Sequence, residues 1–99
     1  MKTNVLTTVI TLLSFTQLIY AGDVSGKVTD AGSGDFLPGA NVTLDGTNLG
    51  ASSDRSGNFS INNVPEGSYT LKVTYVGYSD YSDSISIGSE VVTRDVSLS

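Results

Sequence analysis

Residues 68 to 76 read SYTLKVTYV. Tyr69, Leu71, Val73 and Tyr75 fall on one side of a two-residue period, and Thr70, Lys72 and Thr74 on the other. Side chains of a strand alternate between faces, so the first set is expected inward and the second toward water. The same pattern extends outward in both directions. Val24 and Val28 share a face of Asp23 to Asp30, with Gly26 between them, and Ala40, Val42 and Leu44 share one in GANVTLD. A short strand is expected within Leu49 to Ser53. Phe59 and Ile61, then Tyr81, Ile85 and Ile87, then Val92, Val96 and Leu98 mark the others, with Arg94 the odd member of the last face. No window after residue 22 shows a 3.6-residue apolar period.

Between these runs lie Gly32 and Gly34, Gly46, Gly57, Pro65 to Gly67, Gly77 and Gly88. Short strands at this spacing imply an all-β sandwich of about seven antiparallel strands, each sheet wet on one side. Two turns carry their own chemistry. In DRSGN, Asp54 is suited to accept local backbone hydrogen bonds and Gly57 to supply a positive φ, the signature of a hairpin connection. In NNVPEGSY, Pro65 presets one corner and Gly67 a left-handed residue, with Val64 tucked beneath. Together they are expected to set Phe59 and Ile61 against Tyr69 and Leu71 on adjacent strands.

The first residues have the layout of an export signal. Lys2 gives a positive start, Val5 to Tyr20 is mostly apolar, and Ala21 is a small residue at a cut site. The competing reading, a transmembrane helix, needs about 20 mainly apolar residues. This run carries Thr7, Thr8, Thr11, Ser14, Thr16 and Gln17. The expectation is therefore a helical signal peptide over 1–21 and a β-sandwich domain over 22–99, exported to the periplasm or outer membrane or secreted. All 11 Gly and both Pro lie in the second segment, and no Cys is present to staple it.

The 99-residue chain has a net charge of −5. After residue 21 its cations are Lys27, Arg55, Lys72 and Arg94, scattered among ten acids. Nucleic-acid binding needs clustered basic residues, and anionic membrane surfaces attract them too. Neither partner is expected, except a membrane reached through a parent protein.

Candidate chemistry is sparse. With no His and no Cys, nucleophile–His pairs and common zinc sites are excluded. No Gly-x-Ser-x-Gly elbow appears. GSGDFLPG lacks the Lys of a phosphate loop, so Phe36 or Leu37 is expected to cap the core there. Asp54, Ser56 and Asn58 faintly resemble a calcium loop, but the twelfth position, which should be Glu, is Pro65. Asp80, Asp83 and Glu90 read as a solvated acidic face. No catalytic, metal or cofactor site is expected. The remaining candidates are Tyr75, Tyr78 and Tyr81, around one hairpin corner, either a core plug or an aromatic contact for a partner protein or glycan.

The motifs then carry a resemblance. Gly26, Val28 and Asp30; Leu37 to Ala40 with Val42; Ser53, Asp54, Gly57 and Phe59; Val64, Pro65, Gly67, Tyr69 and Leu71; and Val76 to Tyr78 match the pattern of carboxypeptidase regulatory-like, or transthyretin-like, domains. The resemblance implies a seven-stranded prealbumin- or Ig-like sandwich without catalytic residues. Exported copies with YVGY are similar to the N-terminal extension of TonB-dependent outer-membrane receptors. It implies an accessory domain acting by protein–protein contact, here a fragment without plug and barrel. The alternatives are a carbohydrate-binding module of a secreted hydrolase, and an accessory domain of a secreted carboxypeptidase. A Lys–Asn crosslink of the kind formed in related sandwiches is not expected: Lys27 lies on the first strand, and the last strand offers Asp95 and no Asn.

Overall fold

The computed structural model describes residues 21–99; of the expected signal peptide over 1–21, residues 1–20 lie outside the described residues and Ala21 opens the first strand. Eight strands follow in order: β1 Ala21–Asp30, β2 Asn41–Leu44, β3 Gly50–Ser52, β4 Asn58–Pro65, β5 Gly67–Thr74, β6 Tyr81–Ile87, β7 Val91–Thr93 and β8 Val96–Leu98. One sheet runs β4-β1-β7, with β8 also on β1, and the other runs β3-β2-β5-β6. No helix occurs among the described residues.

The alternating runs behave as their period requires. Val24, Val28, Val42, Leu44, Leu71 and Val73 are completely buried between the sheets, beside Phe59, Ile61, Ile85, Ile87, Val96 and Leu98. Tyr69 and Tyr75, at the ends of their face, are half-buried against this core. Leu37 caps one end at 6% exposure, whereas Phe36 stays half exposed with the Lys27 ammonium 4.7 Å from its ring centre.

The expected seven-stranded antiparallel count is corrected to eight strands with two parallel pairings. The run Val92, Val96, Leu98 is two strands, broken at Arg94 and Asp95. β7 pairs parallel to Asp23–Ser25 and β8 parallel to Val28–Asp30. The break is held by hydrogen bonds: Arg94 N donates to Ser25 O at 2.8 Å, and the Lys27 amide donates to Asp95 Oδ1 at 3.2 Å. Arg94 leaves the core face and meets Asp83 of β6, Nε to Oδ2 3.1 Å, so one ion pair spans the two sheets at their edge. Asp83 is thus not simply solvated. At 39% exposure on each side, the pair adds little stability.

A second correction concerns the two turns. Both form, but neither joins neighbouring strands of one sheet. Asp54 Oδ1 accepts the amides of Ser56 and Asn58, each at 2.9 Å, and Gly57 has φ 79° as expected. The turn nevertheless carries the chain from β3, which pairs with β2, to β4, which pairs with β1. Pro65 to Gly67 carries it back, because β5 lies between β2 and β6. Phe59 and Ile61 therefore enter the core from the opposite layer to Tyr69 and Leu71 and share no ladder with them. The left-handed residue of the second turn is Asn63, φ 57°, while Gly67 sits at 157°. Asn63 lies in a bulge, where the β1–β4 register jumps between Gly22↔Val64 and Val24↔Ile61, and its amide donates to Asp23 Oδ1.

Ser53 is the buried polar residue of the core wall. Its Oγ donates to Leu37 O at 2.5 Å and accepts the Ala40 amide at 2.8 Å. It thereby ties the 37–40 loop to the end of β3. Ser53→Ala leaves both backbone groups without that partner, at an expected cost of about 1–3 kcal/mol. Equilibrium urea unfolding measures it; a midpoint equal to wild type would show the loop to be held by other means.

Candidate functional site

β5 ends at Thr74, and the chain turns through Val76 and Gly77 into β6. Tyr78 N donates to Tyr75 O at 3.1 Å, closing the corner. The Tyr75 and Tyr78 rings lie 5.6 Å apart, inclined at 54°, a tilted aromatic pair. The Tyr78 hydroxyl donates to Asp30 Oδ2 at 2.5 Å, and Asp30 Oδ1 accepts the amides of Gly32 and Ser33 at 2.7 and 2.9 Å. The end of β1 thus anchors one ring, which braces the other. Ser79 N donates to Ser99 O, so the segment after β8 also meets this corner.

Tyr81 does not belong to the pair. It opens β6 opposite Val73, with its hydroxyl 3.5 Å from Asp83 Oδ2, beside Arg94. The three tyrosines singled out from sequence thus divide into a braced pair and a separate residue at the sheet edge. Tyr75 is among the residues lining an open groove of about 370 Å³, with Gly39, Asn41, Thr74 and Val76. Val76, at the tip, is 96% exposed. Sequence reasoning missed Asn41 and Thr74. Their signal was their place on the polar side of two alternating runs, which becomes a shared location only when β2 pairs with β5 (Asn41↔Thr74).

The electrostatics follow the hydrogen bonds. The Tyr78 hydroxyl, then the Ser33 and Gly32 amides, hold the Asp30 carboxyl below its usual range. The Asp30 carboxylate, then desolvation, holds the Tyr78 phenol above its own. Desolvation, then Asp83, raises Tyr81. A depressed carboxyl stabilises the fold above its unfolded value, near 4, and loses that contribution as pH falls through the lower folded value. In Tyr78→Phe the Asp30 carboxyl is therefore expected to titrate closer to its ordinary range, and the acid-side loss of stability to become shallower. Carboxyl-carbon NMR titration of Asp30 measures this; an unchanged titration would mean that the hydroxyl contributes nothing.

The other sequence candidates are engaged locally. Asp54 points Oδ1 into its own turn. The Lys27 ammonium lies over Phe36, while Asp95 accepts from the Lys27 amide. Among the described residues no three Asp or Glu side chains gather as cation ligands.

The model of the CarboxypepD_reg-like domain family matches residues 24–99. This chain belongs to that family. Over 68 residues the domain is 37% identical to the TonB-dependent receptor P3 of Formosa agariphila, which is 69% of this chain and 6% of that receptor. The chain thus spans a small fraction of that relative's length. Among solved structures, the domain is similar to a chain of a type II cohesin–X–dockerin complex from Acetivibrio cellulolyticus, with 26% identity, a TM-score of 0.65, and coverage of 76% of this chain and 52% of the other. A putative carbohydrate binding protein from Bacteroides uniformis shares the fold at 14% identity, TM-score 0.61, with coverage of 80% and 41%.

Proposed function

We propose that this domain is a non-catalytic accessory module of a TonB-dependent outer-membrane receptor, acting in the periplasm through protein–protein contact. The observation that carries the reading is the 37% identity to a TonB-dependent receptor over most of the sandwich. The structure supports it in a second way. The polar side chains best suited to chemistry are engaged within the fold: Asp30 with Tyr78, Asp54 in its turn and Asp83 with Arg94. The module itself spans no membrane in this reading; a barrel would belong to its parent protein.

Reading the gene beyond the codon for Ser99, together with an immunoblot of fractionated envelopes, tests the proposal. The expected result is an in-frame plug and barrel, with the epitope in the outer-membrane fraction at a receptor's mass. A stop codon there, with the epitope confined to the culture medium, would overturn it.

A further inference from the structure

One hydrogen bond fixes which way the backbone of β6 faces. The Asp45 amide donates to Thr70 O at 2.9 Å, so Leu44 and Leu71 form a non-hydrogen-bonded pair of the β2–β5 ladder. Thr70, Lys72 and Thr74 therefore turn their backbone groups toward β2. Tyr69, Leu71 and Val73 turn theirs toward β6, where they meet Ile85, Asp83 and Tyr81. Ser82, Ser84 and Ser86 are left with N–H and C=O pointing away from the sheet. Among the described residues β6 pairs with β5 alone, and no backbone hydrogen bond from these serines leads elsewhere.

An open edge accepts an added strand, and proteins block such edges with short strands, bulges, proline or an inward charge. The other edges of this sandwich carry these devices. β3, β7 and β8 are three residues each. β4 has the bulge at Asn63 and ends in Pro65. β6 runs for seven residues without Gly, Pro or Lys. Its inward charge, Asp83, is already paired with Arg94 at 3.1 Å. The strand also matches itself. A two-fold axis at Ser84 sets Ser84 against Ser84, and Ser82 of one copy against Ser86 of the other, each pair exchanging both backbone bonds. The outward side chains at the contact are then small, exposed serines. On the inward side Tyr81 falls opposite Ile87 and Asp83 opposite Ile85, while Asp80, just before the strand, falls opposite Gly88. No carboxylate directly faces another, as a chain of net charge −5 requires if it is to meet itself. Moving the axis to Asp83 would set the two Asp83 carboxylates face to face.

We propose that β6 is a docking edge for a second copy of this chain: two copies pair antiparallel through Ser82, Ser84 and Ser86 and join their four-stranded sheets into one continuous sheet. A seven-residue edge buries less than a standard interface, so the association is weak, with a dissociation constant of about 0.1–1 mM. The pairing goes beyond the receptor proposal and does not depend on it.

The test is sedimentation velocity of the full chain at low salt, from about 10 μM to about 1 mM, with NMR amide exchange read at both ends of the range. A dimer is expected to fill in with concentration, and the Ser82, Ser84 and Ser86 amides to exchange more slowly as it does. Ser84→Pro removes an edge donor without touching the β5 ladder and is expected to stay monomeric throughout. Should that variant fold poorly, charge at the axis replaces it. Ser84→Lys and Ser84→Asp each face their own like charge and are expected to weaken the dimer about five- to tenfold, while an equimolar mixture of the two restores it. Ser52→Lys, at the far edge of the same sheet, makes the same change in net charge as Ser84→Lys and is expected to leave the dimer in place. Three results would overturn the proposal: a chain that stays monomeric at about 1 mM, whether or not a foreign polypeptide occupies β6; a dimer that all three Ser84 variants leave unchanged; or charge variants whose mixture associates no better than either alone. A receptor barrel found or missing downstream changes none of these readouts.

Discussion

Gly26→Ala is expected to leave the chain without a cooperative unfolding transition. A Cβ built on Gly26 would stand 1.7 Å from the carbonyl oxygen of Arg94, 2.6 Å from its carbonyl carbon and 3.0 Å from Phe59 Cε2. Gly26 lies between Val24 and Val28 on the inward side of β1. The backbone joining β7 to β8 occupies the space its side chain would take. Ordinary overpacking costs about 1–3 kcal/mol, because flexible side chains yield. Here the obstacle is backbone. The methyl group would separate β1 from the Arg94 linkage and with it loosen β7 and β8, which pair with β1 on either side of that point. Thermal melts followed by far-ultraviolet circular dichroism are the measurement. Gly88→Ala is the control, since a Cβ there meets nothing within 4 Å. If Gly26→Ala melted as sharply and at the same temperature as wild type, the close approach of Arg94 to β1 would be wrong.

Leu71→Ala is expected to bring the domain close to the limit of stability. Leu71 is completely buried at the middle of β5, with Leu44 beside it on β2. Leucine-to-alanine changes in such sites cost about 2–5 kcal/mol, through lost transfer energy and the cavity left behind. A domain of this length has about 4–12 kcal/mol in total. At about 4–8 °C per kcal/mol, the melting temperature should fall by roughly 8–40 °C. The neighbouring Lys72→Ala, on the outward face, should change stability by no more than about 0.5 kcal/mol. Calorimetry of the pair decides the matter: equal losses at 71 and 72 would contradict the assignment of faces along β5.

The tyrosine corner shows how far local reading extends toward a site. Tyr75, Tyr78 and Tyr81 stand close in sequence around one reversal, and all three pack against the core. Their different roles depend on distant partners. Tyr78 is set by Asp30, 48 positions away, and Tyr81 lies beside an ion pair that reaches across to Arg94. Asn41 joins the groove only because β2 lies beside β5. None of these partners is within reach of a residue pattern a few positions long.

What the amino-acid order determined unaided was the local part: which face of each run turns inward, where the chain reverses, and the Asp54–Gly57 turn with its hydrogen bonds. Those features depend on neighbours a few residues apart, through alternation and turn geometry. Tertiary structure alone decided which sheet each strand joins, that β4 and β5 lie in opposite layers, and that the last run splits to flank β1 in parallel. An alternating strand buries the same side chains whichever sheet accepts it, so its pattern is the same for either assignment. The choice is made by long-range fit, above all by the absent side chain of Gly26, which admits the Arg94 backbone.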